Sequence, residues 1–264
     1  TLSLHDALPI SMTRAANALV VKQTSDKAVL NWSSFDIGRD ASVSFVQPDA
    51  SSTALNRVQG GMASQIEGRL SANGQVFLVN PSGIVFGRGA QVNVAGLVAS
   101  SLDWATEDFL ADRWRFTGAS TAGAVVNQGS IKTTGGYVAL LGASVSNEGQ
   151  IQTQGGTAYL AAAETIKIPV SGSGRIKLEL SPSSINAAVS NAKGGTIVTE
   201  GGQVYMQAAA LNSAVANIIQ SGSIDTTGEQ GGAVHLAQRG RGERLGFERA
   251  EQLALLFHGC YLPA

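Results

Sequence analysis

Short segments in which apolar and polar residues alternate recur along the middle of the chain. Residues 125–143 contain a turn, a short strand, a Gly-Gly turn and a second short strand, and residues 145–163 repeat this order 20 residues later. Residues 189–208 form a third copy, one residue longer before its isoleucine, and a looser copy runs from Val215 to Leu236. Such alternation indicates strands with one inward and one outward face.

A single unit of this size cannot bury its apolar face, whereas a stack of units can, which is the principle of a solenoid. A period of roughly 20 residues without a helical segment is typical of one coil of a parallel β-helix. The repeats therefore predict an all-β fold. We expect a right-handed, single-stranded parallel β-helix that carries extra-helical hairpins or a short insertion.

Glycine and asparagine are concentrated where the predicted coils turn. Glycine enters the region of positive φ without a steric penalty, and asparagine tolerates that region. We expect the asparagines at equivalent repeat positions to stack between coils and to share side-chain amide hydrogen bonds: Asn127, Asn147, Asn191 and Asn217. A role as ligand contacts is the alternative, but a satisfied structural corner explains these side chains without a ligand.

Two segments interrupt the repeats. The first, Leu102–Phe116, has helical texture and contains four acidic residues: Asp103, Glu107, Asp108 and Asp112. It is either a carboxylate site or a solvated insertion packed on the coils through Trp104, Phe109 and Trp114. We favour the insertion, because charge clusters without a fixed scaffold are usually solvated. The second segment, Val170–Leu180, alternates after a glycine-rich turn and predicts a hairpin outside the helix.

Composition narrows the classes of function. Glycine accounts for 32 of 264 residues, and charged residues make up only 14%, which excludes a disordered, charge-rich chain. The net charge is −1 without a basic stripe, so nucleic acid, which requires clustered Lys and Arg, is not an expected partner. The single cysteine, Cys260, permits no internal disulfide, and the three histidines are too scattered for a metal site. We predict neither a metal nor a cofactor.

The two ends differ from the rest of the chain. Residues 1–10 (TLSLHDALPI) match the translation of one reading frame of a common sequencing adapter and lack the features of a signal peptide. From Arg239 the repeats give way abruptly to a charge-rich stretch. We interpret residues 1–11 as adapter-derived, 12–238 as one β-helical domain, and 239–264 as a frameshift or non-native tail, with a short terminal helix as the alternative.

The segment 31–118 is the most particular part of the chain, and it contains the turn sequence Asn80–Ile84 (Asn-Pro-Ser-Gly-Ile). Proline fixes φ at the second position of a β-turn and glycine is favoured at the fourth, so a strand is expected to end here in a sharp turn. This ordered set of motifs resembles the amino-terminal secretion domain (haemagglutination activity domain) of two-partner secretion exoproteins, the group typified by filamentous haemagglutinin. The resemblance covers residues 13–238.

The resemblance implies that periplasmic domains of a cognate outer-membrane transporter recognise the domain, which then folds outside and nucleates the β-helix of the passenger. It assigns a secretion motif to Asn80, Pro81, Ser82, Gly83 and Ile84. Family members usually have Asn where Ser82 stands, and Ser82 favours a type I turn. The family's second motif, Asn-Pro-Asn-Leu, is absent. Its place is taken by Gln47-Pro48-Asp49, as in the subclass in which that motif is replaced.

The resemblance further implies a location at the cell surface or in the medium, with host-cell contact made through a passenger outside this chain. Two other functions compete with a secretion signal. One is a surface adhesin that binds host cells or glycans directly through the β-helix faces. The other is a polysaccharide-cleaving enzyme, which needs clustered acidic residues on one face, whereas the repeat strands carry mostly Gln, Thr, Ser and Ala outward. We predict no enzymatic activity.

Overall fold

The chain winds into a parallel β-helix, as the repeats predict. The computed structural model describes residues 10–118, 122–134, 136–168, 178–183, 186–211, 216–228 and 231–239. Coils 2–7 each pass through three sheets in the order A, B, C and return to sheet A one strand further along, coils 1 and 8 have strands of sheets A and B, and a small sheet D lies outside the helix. The predicted all-β class and the parallel β-helix are confirmed. Connections between parallel strands are right-handed in nearly all proteins.

Sheets A and B are the two longest. In spatial order, sheet A contains β1 (Ile10–Ala15), β2 (Ala18–Gln23), β4 (Ser42–Val46), β7 (Arg69–Ala72), β10 (Gln91–Val94), β15 (Ser130–Thr133), β18 (Gln150–Thr153), β23 (Thr196–Val198) and β26 (Ser223–Asp225). Sheet B contains β3 (Lys27–Trp32), β5 (Thr53–Val58), β8 (Gln75–Val79), β11 (Gly96–Ser100), β16 (Tyr137–Gly142), β19 (Thr157–Ala162), β24 (Gln203–Ala209) and β27 (Ala233–Arg239). All neighbours in these sheets are parallel except β1, which pairs antiparallel with β2.

Sheet C completes the coils, and sheet D forms an outer layer. Sheet C contains β6 (Ser64–Ile66), β9 (Ile84–Phe86), β14 (Ala124–Asn127), β17 (Ser144–Asn147), β22 (Ala187–Asn191) and β25 (Ala216–Gln220). Sheet D contains the antiparallel strands β12 (Asp103–Trp104), β13 (Arg115–Thr117), β20 (Thr165–Lys167) and β21 (Glu179–Ser181). The short helix α1 (Thr106–Leu110) lies between β12 and β13.

The coils are numbered by their strands. Coil 1 contains β2 and β3, coil 2 contains β4–β6, coil 3 contains β7–β9, and coil 4 contains β10, β11 and β14. Coil 5 contains β15–β17, coil 6 contains β18, β19 and β22, coil 7 contains β23–β25, and coil 8 contains β26 and β27. The insertion, Leu102–Phe116, therefore interrupts coil 4, and the segment with β20 and β21 interrupts coil 6.

The interior of the helix is a continuous column of apolar side chains. Equivalent inward positions of the repeats meet in register, as in the column Ile131, Ile151 and Ile197 of sheet A, whose members are at most 1% exposed. Each such side chain contributes about 1.5–3 kcal/mol through burial. Because every second residue of a strand points inward, the inward residues of successive coils form a stack of apolar layers. The low content of charged residues, 14%, is consistent with this core.

Sheet B is also apolar on its outward face in coils 2–4, which precede the repeats whose outward positions are expected to be mostly polar. Leu55, Phe77 and Val98 point away from the interior and are at most 1% exposed, because α1 and sheet D cover them. The outward face of a strand is polar only where solvent meets it. In the same part of the chain, sheet A has polar outward positions, such as Ser44 and Ser71.

The Gly-Gly pairs of the repeats combine two different structural needs. Gly155 has φ of +65° and open space around its Cα, so it is selected by backbone conformation. A Cβ on the adjacent Gly156 would overlap the carbonyl oxygen of Gly136 in the preceding coil. The second glycine of this pair is therefore selected by the close approach of two coils.

The interruptions and ends agree in part with what the sequence indicates. The insertion contains one helical turn, α1, and packs on the coils as favoured. Most of the predicted hairpin Val170–Leu180 lies outside the described residues, but its last part belongs to β21, which pairs antiparallel with β20. Ile10 and Ser11 begin β1 and Arg239 ends β27, and otherwise the segments 1–11 and 239–264 lie outside the described residues. Their assignments stay predictions.

Candidate functional site

The segment Asn80–Ile84 forms the turn between sheets B and C in coil 3. The amide of Gly83 donates to the carbonyl of Asn80 at 2.9 Å, which closes a four-residue β-turn with Pro81 at its second position. The Asn80 side-chain oxygen accepts a hydrogen bond from the Ser82 amide at 3.0 Å. The third residue of a type I turn has negative φ, and Ser82, at this position, does not have positive φ. Gly83, the fourth residue, has φ of +110°.

Asn80 joins three coils through this turn. Its side-chain amide donates to the Met62 carbonyl and to the Ser64 hydroxyl of coil 2, each at 3.0 Å. Its backbone amide donates to the Ser100 carbonyl of coil 4 at 2.9 Å. Asn80 is completely buried, and an unsatisfied polar group at such a position would cost about 1–3 kcal/mol. The asparagine is therefore needed for its hydrogen bonds as much as for its fit to the turn.

Gly83 and Ile84 carry the chain from the turn into sheet C. The Gly83 carbonyl accepts a hydrogen bond from the Ser64 amide at 3.0 Å, and a Cβ on Gly83 would lie 2.8 Å from the Ala124 carbonyl oxygen. Ile84 is completely buried and pairs with Ser64 on one side and Val125 on the other. Only Pro81 at the tip of the turn is exposed.

The corner at Gln47-Pro48-Asp49 is built around a buried glutamine that sequence analysis did not single out. The Gln47 side-chain amide donates to Ser52 O at 3.0 Å and to Gln23 Oε1 in coil 1 at 3.2 Å. Its backbone forms two hydrogen bonds of 2.8 Å with the Asn73 side chain of coil 3. A usable signal is that Gln23 and Gln47 both stand at the ends of strands that alternate inward, where a polar residue predicts a hydrogen-bonded corner.

Asp49 organises the exposed side of the same corner. Its carboxylate accepts hydrogen bonds from the hydroxyls and backbone amides of Ser51 and Ser52. The hydroxyl bonds, that of Ser51 first, together with the amide bonds, lower the pKa of Asp49 below its ordinary value. This is a self-contained polar turn, and the structure gives it the geometry of a coil corner.

Three of the four predicted corner asparagines form one ladder. The Asn127 side-chain amide donates to Asn147 Oδ1 at 2.8 Å, and Asn147 donates to Asn191 Oδ1 at the same distance. The three residues are in register at the ends of their strands and are completely buried. None of them has positive φ; among the described residues, the non-glycine positions with positive φ are Ala16, Asp112 and Glu200. The asparagines therefore serve the corner through their amides and not through a left-handed backbone.

The prediction for Asn217 is wrong. It pairs with Ala188, whereas the position in register with Asn191 is occupied by Gln220. Asn217 is exposed and lies on the outward face of β25. The looser fourth repeat shifts the polar corner residue three positions along the chain, a change that alignment by the Val-x-Asn pattern cannot detect.

The four acidic residues of the insertion do not form a carboxylate site. Asp103 binds Arg57 at 3.1 Å, Asp108 binds Arg113 at 2.7 Å, and Asp112 binds Lys27 at 2.6 Å. Each of these carboxylates is thus directed to its own cation. Within the described part of the chain, no group of three or more His, Cys, Asp or Glu side chains is arranged to hold a metal ion.

The outward face of sheet B also contains a row of stacked rings. Tyr159 and Tyr205 stack at 5.3 Å, and Tyr205 and His235 stack at 4.5 Å. Burial raises the pKa of Tyr159, so its hydroxyl stays neutral.

Across the described residues, no helix is long and apolar enough to cross a membrane.

The fold of the chain is similar to that of a solved secretion domain. The solved structure of the HMW1 secretion domain from Haemophilus influenzae is similar to this chain with a TM-score of 0.68 and 26% identity, over 88% of this chain and 72% of that chain. This likeness defines the class: a β-helical secretion domain.

The sequence profile of the TPS (two-partner secretion) secretion domain matches residues 5–239, and the chain belongs to this family. A heme/hemopexin-binding protein of Haemophilus influenzae is 47% identical over 102 residues, which are 39% of this chain and 11% of that protein. Its counterpart in strain Rd is 42% identical over 123 residues, 46% of this chain and 14% of that protein. The chain thus spans a small part of the length of the curated relatives it matches.

Membership of the family establishes the general role. Two-partner secretion exoproteins are exported across the outer membrane to the cell surface or the medium, and this domain carries their secretion signal. The partner that the family implies is a cognate outer-membrane transporter. The family is one of secretion domains and not of enzymes.

Proposed function

We propose that the transporter recognises this domain while it is unfolded, and that the domain then folds outside the cell and nucleates the β-helix of its exoprotein. The observation that carries the proposal is the burial of Asn80, Gly83 and Ile84 in the motif. Asn80 has no exposed surface, and the preceding strand β8 is paired on both sides. A partner cannot reach Asn80 or the backbone of β8 in the folded domain, which supports recognition of these groups in the unfolded chain.

Strand addition is the mode of recognition that suits such a segment. In the unfolded chain, the residues of β8 are extended and have free backbone groups, which can pair with an exposed sheet edge of the transporter's periplasmic domains.

Within the described residues, β25, β26 and β27 each have a neighbour on one side only. These strands present the backbone groups on which a following coil can pair, which supports nucleation of further coils.

Export in the presence and absence of the transporter tests the proposal. The wild-type domain, co-expressed with its cognate transporter, is expected in the medium, and secretion without the transporter would contradict the proposal. Asn80→Ala and Gly83→Ala are expected to reduce secretion strongly. Asn93→Ala is the matched control, because Asn93 is an exposed asparagine on the outward face of sheet A.

The stability of the same variants separates recognition from folding. Each variant is purified and refolded, and its unfolding by urea is followed by circular dichroism. If Asn80→Ala is as stable as Asn93→Ala but is not secreted, the transporter reads the motif directly. Secretion of Asn80→Ala at the wild-type level would overturn the assigned role of the motif.

We further propose that the domain has no catalytic activity. The function that competes with a secretion signal is direct adhesion to host cells or glycans. Three of the four acidic residues that came nearest to a site bind separate cations. The surface that would bind glycans is a shallow groove on sheet A, lined by Ser44, Ser71 and Asn93. Binding of the secreted, folded domain to host cells, abolished by substitution of these three residues, would favour adhesion.

A further inference from the structure

The insertion leaves the helix from coil 4 but packs mainly on the coils before it. Phe77 of coil 3 contacts three of its rings, with centroid distances of 5.4 Å to Trp104, 6.0 Å to Phe109 and 5.6 Å to Trp114. Phe77, Trp104 and Phe109 are each 1% exposed. Without the insertion, the outward face of sheet B in coils 1–3 would expose these apolar groups to water.

Lys27 of coil 1 holds the carboxyl-terminal end of α1. Its ammonium donates to the Leu110 carbonyl at 2.9 Å, binds Asp112 at 2.6 Å and lies 5.7 Å from the centre of the Phe109 ring. The last turn of α1 has no basic residue of its own. Lys27 therefore supplies the positive charge that the carboxyl end of a helix favours, from a point 83 residues away from Leu110 in sequence.

Arg57 of coil 2 holds the other end of α1. Its guanidinium donates to Asp103 at 3.1 Å, to the Thr106 hydroxyl at 3.1 Å and to the Trp104 carbonyl. The Arg57 side chain is only 17% exposed, whereas Asp103 is 55% exposed, so the ion pair is partly screened by solvent. The insertion is thus fixed at both ends by basic residues of the first two coils.

The same layer extends towards the other end of the helix. Phe116 in β13 pairs with Ile166 in β20, and both side chains are completely buried. Sheet D thereby joins the insertion of coil 4 to the segment that interrupts coil 6. A continuous outer core runs from Val29 in coil 1 to Tyr205 in coil 7.

We propose that the insertion is a strap that makes coils 1–7 fold as one cooperative unit. In a simple solenoid each coil contacts only its neighbours, and stability propagates from coil to coil. Here the contacts of Lys27 and Arg57 join coils 1 and 2 to a segment more than 40 residues later. The first coils therefore gain their full stability only when the insertion has docked.

A variant that loosens the strap tests this inference with the purified 264-residue chain and no transporter, so its outcome is independent of the proposed recognition. Two of the three tryptophans lie in the insertion, so fluorescence reports the strap while circular dichroism reports the strands. In the wild type, both probes are expected to show one urea transition at the same midpoint. In Lys27→Gln/Arg57→Gln, the fluorescence transition is expected at lower urea than the dichroism transition.

Hydrogen exchange locates the effect along the helix. In the double variant, amides of β3 and β5 are expected to exchange about tenfold faster, because the loss of charge-assisted contacts makes local opening of these strands easier. Amides of β18 and β24 are expected to keep their exchange rates. Lys22→Gln is the matched control, because Lys22 is an exposed lysine of coil 1 on sheet A. Coincident transitions in the double variant, or separate transitions in the wild type, would overturn the inference.

A milder variant decides the matter if the double variant does not fold. Asp112→Asn removes one exposed partner of Lys27 and leaves the lysine contacts to α1 in place. Exchange of the β3 amides is then expected to rise about threefold, in line with a partly exposed ion pair. Unchanged exchange in β3, or an equal rise in β18, would contradict a strap that acts on the first coils.

Discussion

Coils 1–4 and coils 5–8 share the same three sheets but are stabilised differently. In the second half one arrangement recurs from coil to coil: the Gly-Gly pairs stack through coils 5–8, and the asparagine ladder runs from coil 4 to coil 6. Coils 1–4 depend on contacts that occur once, namely the turn at Asn80, the corner at Gln47 and the docking of the insertion on Phe77. Repetition distributes stability over equivalent contacts, whereas single contacts concentrate it in a few residues.

The largest expected effect tests this concentration in coils 1–4. Phe77→Ala removes the ring at the centre of the outer core and leaves a cavity beneath Trp104, Phe109 and Trp114. We expect the free energy of unfolding to fall by about 3–5 kcal/mol, as for other buried Phe→Ala changes. Urea unfolding followed by circular dichroism measures this change.

Met62→Ala is the control for Phe77→Ala. Met62 also lies in the first coils but is 78% exposed, so its replacement is expected to change stability by no more than about 0.5 kcal/mol. A similar loss in the two variants would mean that the outer core is not a centre of stability in coils 1–4.

The second prediction compares two adjacent glycines of the repeated coils. Gly156→Ala places a methyl group against the Gly136 carbonyl oxygen, and we expect a loss of about 3 kcal/mol from the overpacking. Gly155→Ala meets no neighbouring atom but must keep positive φ, which costs about 1–2 kcal/mol. Thermal or urea unfolding of both variants gives the order, and a larger loss at Gly155 would contradict the close approach of the coils.

The third prediction breaks the asparagine ladder at its centre. Asn147→Ala removes the acceptor of Asn127 and the donor to Asn191, all three being buried. We expect a loss of about 2 kcal/mol from the unsatisfied amide groups. Asn217→Ala is the matched control, since Asn217 is exposed and outside the ladder, and a change near zero is expected there. Equal losses would mean that the ladder contributes nothing specific.

The repeated half of the molecule is more predictable from its sequence than the single-copy half, for a physical reason. Asn127, Asn147 and Asn191 recur at one position of a pattern, so their stacking follows from the period alone. Lys27 and Arg57 meet the insertion through contacts that no period encodes, and nothing local marks either residue as a partner of α1. The prediction for Asn217 was wrong for the opposite reason. The Val-x-Asn pattern continues in the fourth copy, but the register of β25 against β22 changes.

The motif at Asn80 lies between these two cases. The turn follows from Pro81 and Gly83, and the structure has the β-turn that these residues predict. The burial of Asn80 and its hydrogen bonds to Met62 and Ser64 depend on how coil 2 packs, which the turn sequence does not encode. Local conformation was therefore predictable at the site, but its connection to neighbouring coils was not.

The smallest expected effect concerns a device that both halves share. Asp49 in the first half accepts hydrogen bonds from Ser51 and Ser52, and Asp225 in the second accepts them from Thr227. These bonds lower the pKa of both carboxyls below the ordinary value. A carboxyl with a lowered pKa in the folded state adds stability above its unfolded pKa of about 3.9, and that stability is lost as the pH falls through the folded pKa.

We therefore expect NMR titration to place the pKa of both Asp49 and Asp225 below about 3.9. Replacing Ser51 and Ser52 by Ala should raise the pKa of Asp49 alone, and Thr227→Ala should raise that of Asp225 alone, because each hydroxyl stabilises only its own carboxylate. If either replacement shifted both carboxyls, the two turns would be coupled through the intervening coils. Independent titration would instead show that corners of this type act locally, in the repeated and the single-copy half alike.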